Sequence, residues 1–275
     1  MAARLGRIAF FDGPRLRRIA GIGAANERIV FGVLGFVGIS VLWEVASNTG
    51  IFRKSLLSSP TLIWKAATTD FGNGTIWPHI TTSLAEFSYG FVLALVIGIP
   101  LGLLIGTFRR VDYFASVLLS GINATPKVAI VPLIILVAGI GLEAKLIVVF
   151  LLTIFAVVVS TVAGVQSVAE RHLDITRSFG ASRWLAFRSV VLPSTFPFIL
   201  TGVRIGAGRA LVGVITAEFL AANEGLGYYI SLYGVFLDTS RVMLGIVLLG
   251  LFGVAIGEAV RLIERRFEVW RPEIR

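Results

Sequence analysis

The chain has 275 residues, of which 56% are hydrophobic and only 15% charged, with a mean hydropathy of +0.89 and a net charge of +9. A water-facing domain of this length keeps about 25% charged residues, so the solvent for most of this chain is lipid. The absence of cysteine excludes disulfides, thiolate nucleophiles and cysteine metal sites, and two histidines, His79 and His172, leave little for a metal centre.

Residues 1–28 hold six arginines but no apolar core leading to a small-residue cleavage site. They read as a basic cytoplasmic tail rather than a signal peptide, solvated or touching anionic lipid. Six runs then follow that are long and apolar enough to cross a bilayer as helices. They are Ile29–Ala46, Phe87–Thr107, Tyr113–Ile140 with a broken middle, Leu146–Val165 without a charge, Ser194–Thr216 and Val242–Val260. None alternates in polarity as a membrane β-strand would, so the fold class is an all-α membrane protein with six transmembrane helices. With the N-terminus inside, 17 of the 25 Lys and Arg residues fall in inside segments and five in outside ones, which places both termini in the cytoplasm. The basic residues thus act as a topology signal, and nucleic acid is not an expected partner.

Between the spans, residues 47–86 and 217–241 lie outside. The piece 218–237, EFLAANEGLGYYISLYGVFL, is too interrupted to span and reads as a short helix at the outer surface. Gly98, Gly102 and Gly106, Gly202 and Gly206, and Gly253 and Gly257 repeat every four residues, a pattern that brings helix backbones close. Packing within the chain is expected for most of them, with a subunit interface as the other use.

Catalytic groups are missing. There is no HExxH or GxSxG, and none of the four lysines follows a glycine, so no P-loop exists. Catalytic residues, metal ligands and cofactors of the chain's own are therefore assigned as none. Glu44, Glu86 and Glu258 read as lying near span ends and Glu218 as just beyond the fifth span, leaving no carboxylate at mid-membrane to couple an ion gradient. The cations that do lie at depth are Lys127, Arg204 and Arg209. Each costs at least about 2.5 kcal/mol against lipid, so each faces a cavity or a partner. An anion pathway and simple pairing (with Glu218, Asn123 or freed carbonyls) stand level for Lys127 and Arg204, while pairing is preferred for Arg209. Pro126 and Pro132 flank Lys127 and predict either a broken helix beside a watery cavity or a plain kink.

The cytoplasmic segment 170–193, ERHLDITRSFGASRWLAFRSVVLP, is too polar to span and too patterned to be idle linker. Leu173, Phe179, Trp184, Leu185 and Phe187 alternate with Arg171, Arg177, Arg183 and Arg188. Gly180 suits a helix C-terminal cap and Pro193 a first helical turn, predicting a short helix, a turn and a second helical run suited to docking a protein.

This segment resembles the cytoplasmic loop of the membrane subunit of bacterial ATP-binding-cassette importers, whose form is EAA, three residues, Gly, nine residues, Ile-x-Leu-Pro. Here Asp174-Ile175-Thr176, Gly180, Val190, Leu192 and Pro193 stand at those spacings, with departures at all three residues of the EAA and at the Ile. The blocks IGIPLGLLIG (97–106), TPKVAIVPLIILVAGIG (125–141), GVRIGAGRAL (202–211), Ala217-Glu218 and GLG (225–227) are similar to the branch of nitrate, sulfonate, taurine and bicarbonate permeases. The resemblance covers about residues 58 to 271.

The resemblance implies a type I importer permease in the bacterial inner membrane, working as a homodimer. It also implies two separate ATPase subunits that hold the ATP and Mg, and a periplasmic or lipid-anchored binding protein that delivers a small anionic solute. The expected organisation is a tail over 1–28, a permease domain over 29–264 with its coupling loop at 167–192, and a C-terminal tail over 265–275. The expected ATPase-coupling residues are Arg171, Asp174, Arg177, Ser178, Gly180 and Ala181. Lys127, Arg204 and Glu218 are expected to line or gate the path. The alternative is an ion-gradient-driven secondary carrier. An intramembrane enzyme lacks a nucleophile and base.

Overall fold

The computed structural model describes residues 14–49, 58–168 and 170–267, and every regular element among them is helical. The helices are α1 (Pro14–Asn48), α2 (Pro60–Gly72), α3 (Ile76–Thr107), α4 (Arg109–Ala124), α5 (Val131–Ala138), α6 (Leu142–Gln166), α7 (Glu170–Ser178), α8 (Arg183–Ala186), α9 (Leu192–Ala221), α10 (Leu226–Val235) and α11 (Thr239–Phe267). A 3-10 turn over Lys127–Ile130 precedes α5, and a π turn over Phe187–Val191 joins α8 to α9. Five helical stretches are long and apolar enough to cross a membrane, and a sixth results if α4 and the 127–138 segment form one span, bent by 81°.

The chain divides into two compact units, Met1–Trp64 and Lys65–Arg275. Of the expected N-terminal tail, residues 1–13 lie outside the described residues, and Pro14 onward is already part of α1. Of the expected C-terminal tail, residues 268–275 lie outside them, and 265–267 end α11. Within the first unit, the Glu44 carboxylate accepts the Thr61 amide at 3.1 Å and the Thr61 hydroxyl at 2.8 Å. A carboxylate at the first turn of α2 meets its unpaired amides and positive end. Glu44 is therefore a helix cap rather than a snorkelling side chain.

The core of the second unit is built on α3, α6 and α9. On α3, Gly90, Gly98, Gly102 and Gly106 face Val149, Val157, Thr161 and Val165 of α6. The pairing advances equally along both helices, so α3 and α6 run parallel. A Cβ at Gly90 would stand 2.5 Å from Val149, and one at Gly102 would stand 2.6 Å from Thr161, so only glycine permits this approach. α9 packs beside α3 against α6, where Gly202 meets Ser160, Gly206 meets Val157 and Gly213 meets Val149. This order runs backwards, so α9 is antiparallel to both. Close backbone packing of this kind holds helices together where lipid removes the hydrophobic drive. The glycine stripes thus serve packing inside the chain, with Gly257 the exception, since nothing lies within 4 Å of a Cβ placed there.

Three buried threonines in this core are satisfied by their own helices. The buried hydroxyls of Thr153, Thr161 and Thr195 donate to the carbonyls four residues back, at 2.6, 2.8 and 2.8 Å. Several ends differ from the expected ones. Lys145, expected outside, sits in the first turn of α6, and Glu86, expected at a span end, sits well inside α3. Glu218 belongs to α9 rather than lying beyond it. Each was displaced in the reading because a charge was taken as an exit from lipid. Pro126 ends the break after α4, whereas Pro132 opens α5 at its first turn, where its missing amide costs nothing.

Candidate functional site

Three places in the fold carry side chains that packing alone does not explain. The first is the loop between α6 and α9. Phe179 and Ala181 close the end of α7, their amides donating to the carbonyls of Ile175 at 3.2 Å and Thr176 at 3.1 Å. Gly180 takes φ +72°, the left-handed conformation that glycine alone adopts without strain. The Ser182 hydroxyl then accepts the Leu185 amide at 3.2 Å and starts α8. From Arg183 the helix runs through the π turn into α9 without interruption, so the expected second helical run is the root of α9 itself.

The loop exposes its apolar residues. Phe179 is 88% exposed and Trp184 69%, with Trp184 stacked on Phe187 at 5.7 Å between ring centroids. Large aromatic groups exposed beside charge have the composition common at the centre of protein interfaces. Asp174 and Ser178 are exposed on α7, and the Ser178 hydroxyl turns back to the Asp174 carbonyl at 2.9 Å. The side chains of Arg171 and Arg177 lie outside the described residues. Phe179 and Trp184 were not among the expected coupling residues. Their signal was present, as large apolar residues inside a charged segment.

The second place is a cavity of about 500 Å³ beside the break at Pro126, bounded by the middle of α6 and of α9. Lys127 and Arg209 both line it, with Ser160, Phe155 and Val128. Lys127 Nζ stands 5.4 Å from the centroid of the Phe155 ring. Arg204 does not line this cavity. Its guanidinium pairs with Glu264 of α11, beyond the end expected for the sixth span. The structure therefore separates Lys127 from Arg204 and places Arg209 beside the same cavity.

The third place is the opposite end of the bundle from the α7–α8 loop. Glu218, 1% exposed, accepts the Ser83 hydroxyl at 2.5 Å and the Gly227 amide at 2.6 Å, and Ser83 accepts the Leu226 amide at 2.8 Å. The α9 carboxylate thereby fastens α3 to the start of α10. Gly225, at φ +120°, and Gly227 press against Glu218. Next to it, Lys145 and Glu86 form a buried ion pair at 2.6 Å.

The α10 hairpin is held a second time by Asp70 of α2. Asp70 accepts the Tyr229 hydroxyl at 2.5 Å and the Arg241 guanidinium at 2.9 Å, and Arg241 also binds Asp238 at 2.7 Å. Burial works to raise the Asp70 pKa, but the hydrogen bonds from Arg241 and Tyr229 outweigh it and hold the carboxyl below its ordinary value. Burial, with the bond to Asp70, pushes the Tyr229 phenol well above the usual tyrosine range. The contacts of Asp70, Ser83 and Tyr229 were not foreseen from the sequence, because each partner is more than 100 positions away. Among the described residues no group of three His, Cys, Asp or Glu could hold a metal.

Comparison with known proteins completes the description. The family described as binding-protein-dependent transport system inner membrane component matches residues 98–269. The chain is 31% identical over 240 residues to the taurine transport system permease protein TauC of Escherichia coli (strain K12), covering 86% of this chain and 87% of that one. It is 32% identical over 240 residues to the formylaminopyrimidine transport permease protein ThiX of Halalkalibacterium halodurans, covering 87% and 95%. A chain of the MetNI methionine ABC transporter, solved in inward facing conformations, is similar with a TM-score of 0.60 at 19% identity, covering 70% of this chain and 98% of that one. That likeness establishes the type I permease fold.

Proposed function

Because the chain belongs to the family of binding-protein-dependent transport system inner membrane components, we propose that it forms the path of an importer for a small anionic solute of the taurine or sulfonate kind, driven by separate ATPase subunits that dock on the α7–α8 loop. Members of this family are non-enzymatic membrane subunits, and ATP with its Mg belongs to the partner. The observation that carries the proposal is the pair Phe179 and Trp184, exposed on either side of Gly180 where the loop turns. Asp174, Ser178, Gly180 and Ala181, with Arg171 and Arg177, form the surrounding contact surface, and the loop faces the cytoplasm together with both termini.

A second copy of the chain completes the path. Arg209 is exposed at mid-span beside exposed Ile205 and Val212. Against lipid this cation costs at least about 2.5 kcal/mol, whereas a watery channel between two copies keeps it solvated. A binding protein outside the inner membrane delivers the solute to the end closed by Glu218 and α10. Lys127 lines the path, Glu218 fastens its outer gate, and Arg204 ties α9 to α11.

The test is co-purification of the chain with its ATPase and solute uptake into vesicles, comparing the wild type with F179E and W184E. Both variants are expected to lose the ATPase and uptake together while still folding. Retention of both overturns the docking assignment. The buried carboxylates Glu86 and Glu218 inside helices favour one competing reading, an ion-gradient carrier. Uptake driven by a proton or sodium gradient without ATP would establish that reading instead.

A further inference from the structure

We infer that His79 of α3 is a proton-operated latch on the turn that starts α10: the neutral ring holds the Gly225 amide, and mild acid releases it. The latch lies at the end of the bundle opposite the α7–α8 loop, and only its meaning as part of an outer gate rests on the permease reading.

The bonding pattern of the turn carries the inference. The first amides of a helix have no partner within it. At the start of α10 three successive amides donate to side chains instead. Gly225 donates to His79 Nδ1 at 3.2 Å, Leu226 to the Ser83 hydroxyl at 2.8 Å and Gly227 to the Glu218 carboxylate at 2.6 Å. These three acceptors differ in one respect. A hydroxyl always keeps a lone pair, and a carboxyl keeps an acceptor oxygen even when protonated. An imidazole has a single acceptor nitrogen, and the proton that charges the ring occupies it. His79 is thus the member of the set that cannot hold its amide once protonated. It would then point an N–H at an N–H and place a positive charge at the positive end of α10.

The surroundings keep the ring in place and within reach of protons. His79 is half-buried. It packs against two tyrosines of α10, with ring centroids 6.0 Å from Tyr228 and 5.4 Å from Tyr229. Two carboxylates face the ring, Glu224 of the turn and Asp70 of α2, and each has other partners. Glu224 accepts the Thr82 hydroxyl at 3.1 Å, and Asp70 holds Tyr229 and Arg241 of α11. An imidazolium therefore gains their attraction while losing the amide. The ordinary imidazole range, near pH 6.5, sets where the exchange takes place. The bond is present above that range and lost as pH falls through it. Gly225 sits at φ +120° against the Glu218 carboxylate, so the freed amide belongs to the residue on which the turn pivots. Under the permease reading, mild acid loosens the outer gate.

The experiment is residue-resolved hydrogen exchange of the full chain in lipid nanodiscs from pH 8 to pH 5, expressed as protection factors. The nitrogen shifts of the His79 ring are recorded on the same samples. Protection of the Gly225 and Leu226 amides should fall about three- to tenfold, the loss expected for one hydrogen bond. The midpoint should coincide with titration of the ring. H79N keeps an acceptor oxygen near the Nδ1 position and does not titrate, so it should retain protection without that step. H79F should show reduced protection already at pH 8, and thermal unfolding checks that both variants are folded. The inference is overturned if wild-type protection is unchanged between pH 8 and pH 5, or if Nδ1 carries a proton at pH 8. An undiminished step in H79N overturns it as well. Neither an ATPase nor a solute takes part, so failure here leaves the docking test standing, and failure of the docking test leaves this one standing.

Discussion

Replacing Lys145 by Met would leave the Glu86 carboxylate, 1% exposed, without its ammonium partner at 2.6 Å. Two unit charges 4 Å apart attract by about 4 kcal/mol at an effective dielectric of 20, and desolvation of each ion consumes several kcal/mol, so the pair as a whole is near neutral. Removing one member is different, because the remaining charge stays buried and unpaired, at a cost of about 3–5 kcal/mol. Glu86 Oε2 has no hydrogen-bond partner among the described residues, so the bond from Lys145 to Oε1 is the carboxylate's main support and the upper part of that range is expected. The double replacement E86L/K145M fills the same seam between α3 and α6 with apolar volume. It should recover most of the loss, ending within about 1–2 kcal/mol of the wild type. The assay is a double-mutant cycle of reversible unfolding in bicelles. A loss under about 1 kcal/mol for K145M would show that water reaches Glu86. A double variant as unstable as K145M would show that the seam needs these two shapes rather than their charges. Either result refutes the reasoning.

The remaining predictions concern the α10 hairpin. Gly225→Ala puts a Cβ against the Glu218 carboxylate at φ +120°, and strain with overpacking should cost about 2–4 kcal/mol locally; unchanged hydrogen exchange in α10 would refute it. The folded Asp70 pKa lies below its ordinary value of 3.8, so its contribution is complete above about pH 4 and is lost as pH falls through the folded value. Acid below about pH 4 should therefore speed exchange in α10, and D70N should remove that pH dependence while lowering protection at neutral pH; a D70N profile that keeps the acid step would count against Asp70.

Much of the fold was readable from the runs of apolar residues, because a bilayer imposes length and polarity on every span. The ends were harder. Glu86 and Lys145 each read as an exit from lipid, yet they stand 59 positions apart and cancel across the α3–α6 seam. Glu218 read as an exit for the same reason, though its carboxylate is met by Ser83 and a backbone amide of the next helix, α10. Such compensation depends on tertiary pairing, which a single helix's composition does not record. The cavity was partly legible. Arg204 and Arg209 are five residues apart, which on a helix turns them by about 140°, so they could not serve one site. Arg209 shares its face with Ile205 and Val212, but which α9 face meets Lys127 is set by tertiary packing. The loop was legible in outline through Gly180 and the LP pair, but the joining of α8 to α9 was not, since Pro193 suggested a fresh start.

That joining has a mechanical meaning. From Arg183 to Ala221 the chain is one helical stretch of 39 residues, about 58 Å long at 1.5 Å per residue. Trp184 is at one end, Arg209 about two thirds of the way along and Glu218 near the other end. To the extent that this stretch moves as one body, a tilt of 5° about its midpoint would displace each tip by about 2.5 Å, close to the length of the bonds that Glu218 makes. If an ATPase docks at the loop as proposed, a push at Trp184 needs no relay of side chains to reach the far end. The π turn at Phe187–Val191 sits near the handle, where an extra residue in the winding lets the grip rotate without unwinding the shaft.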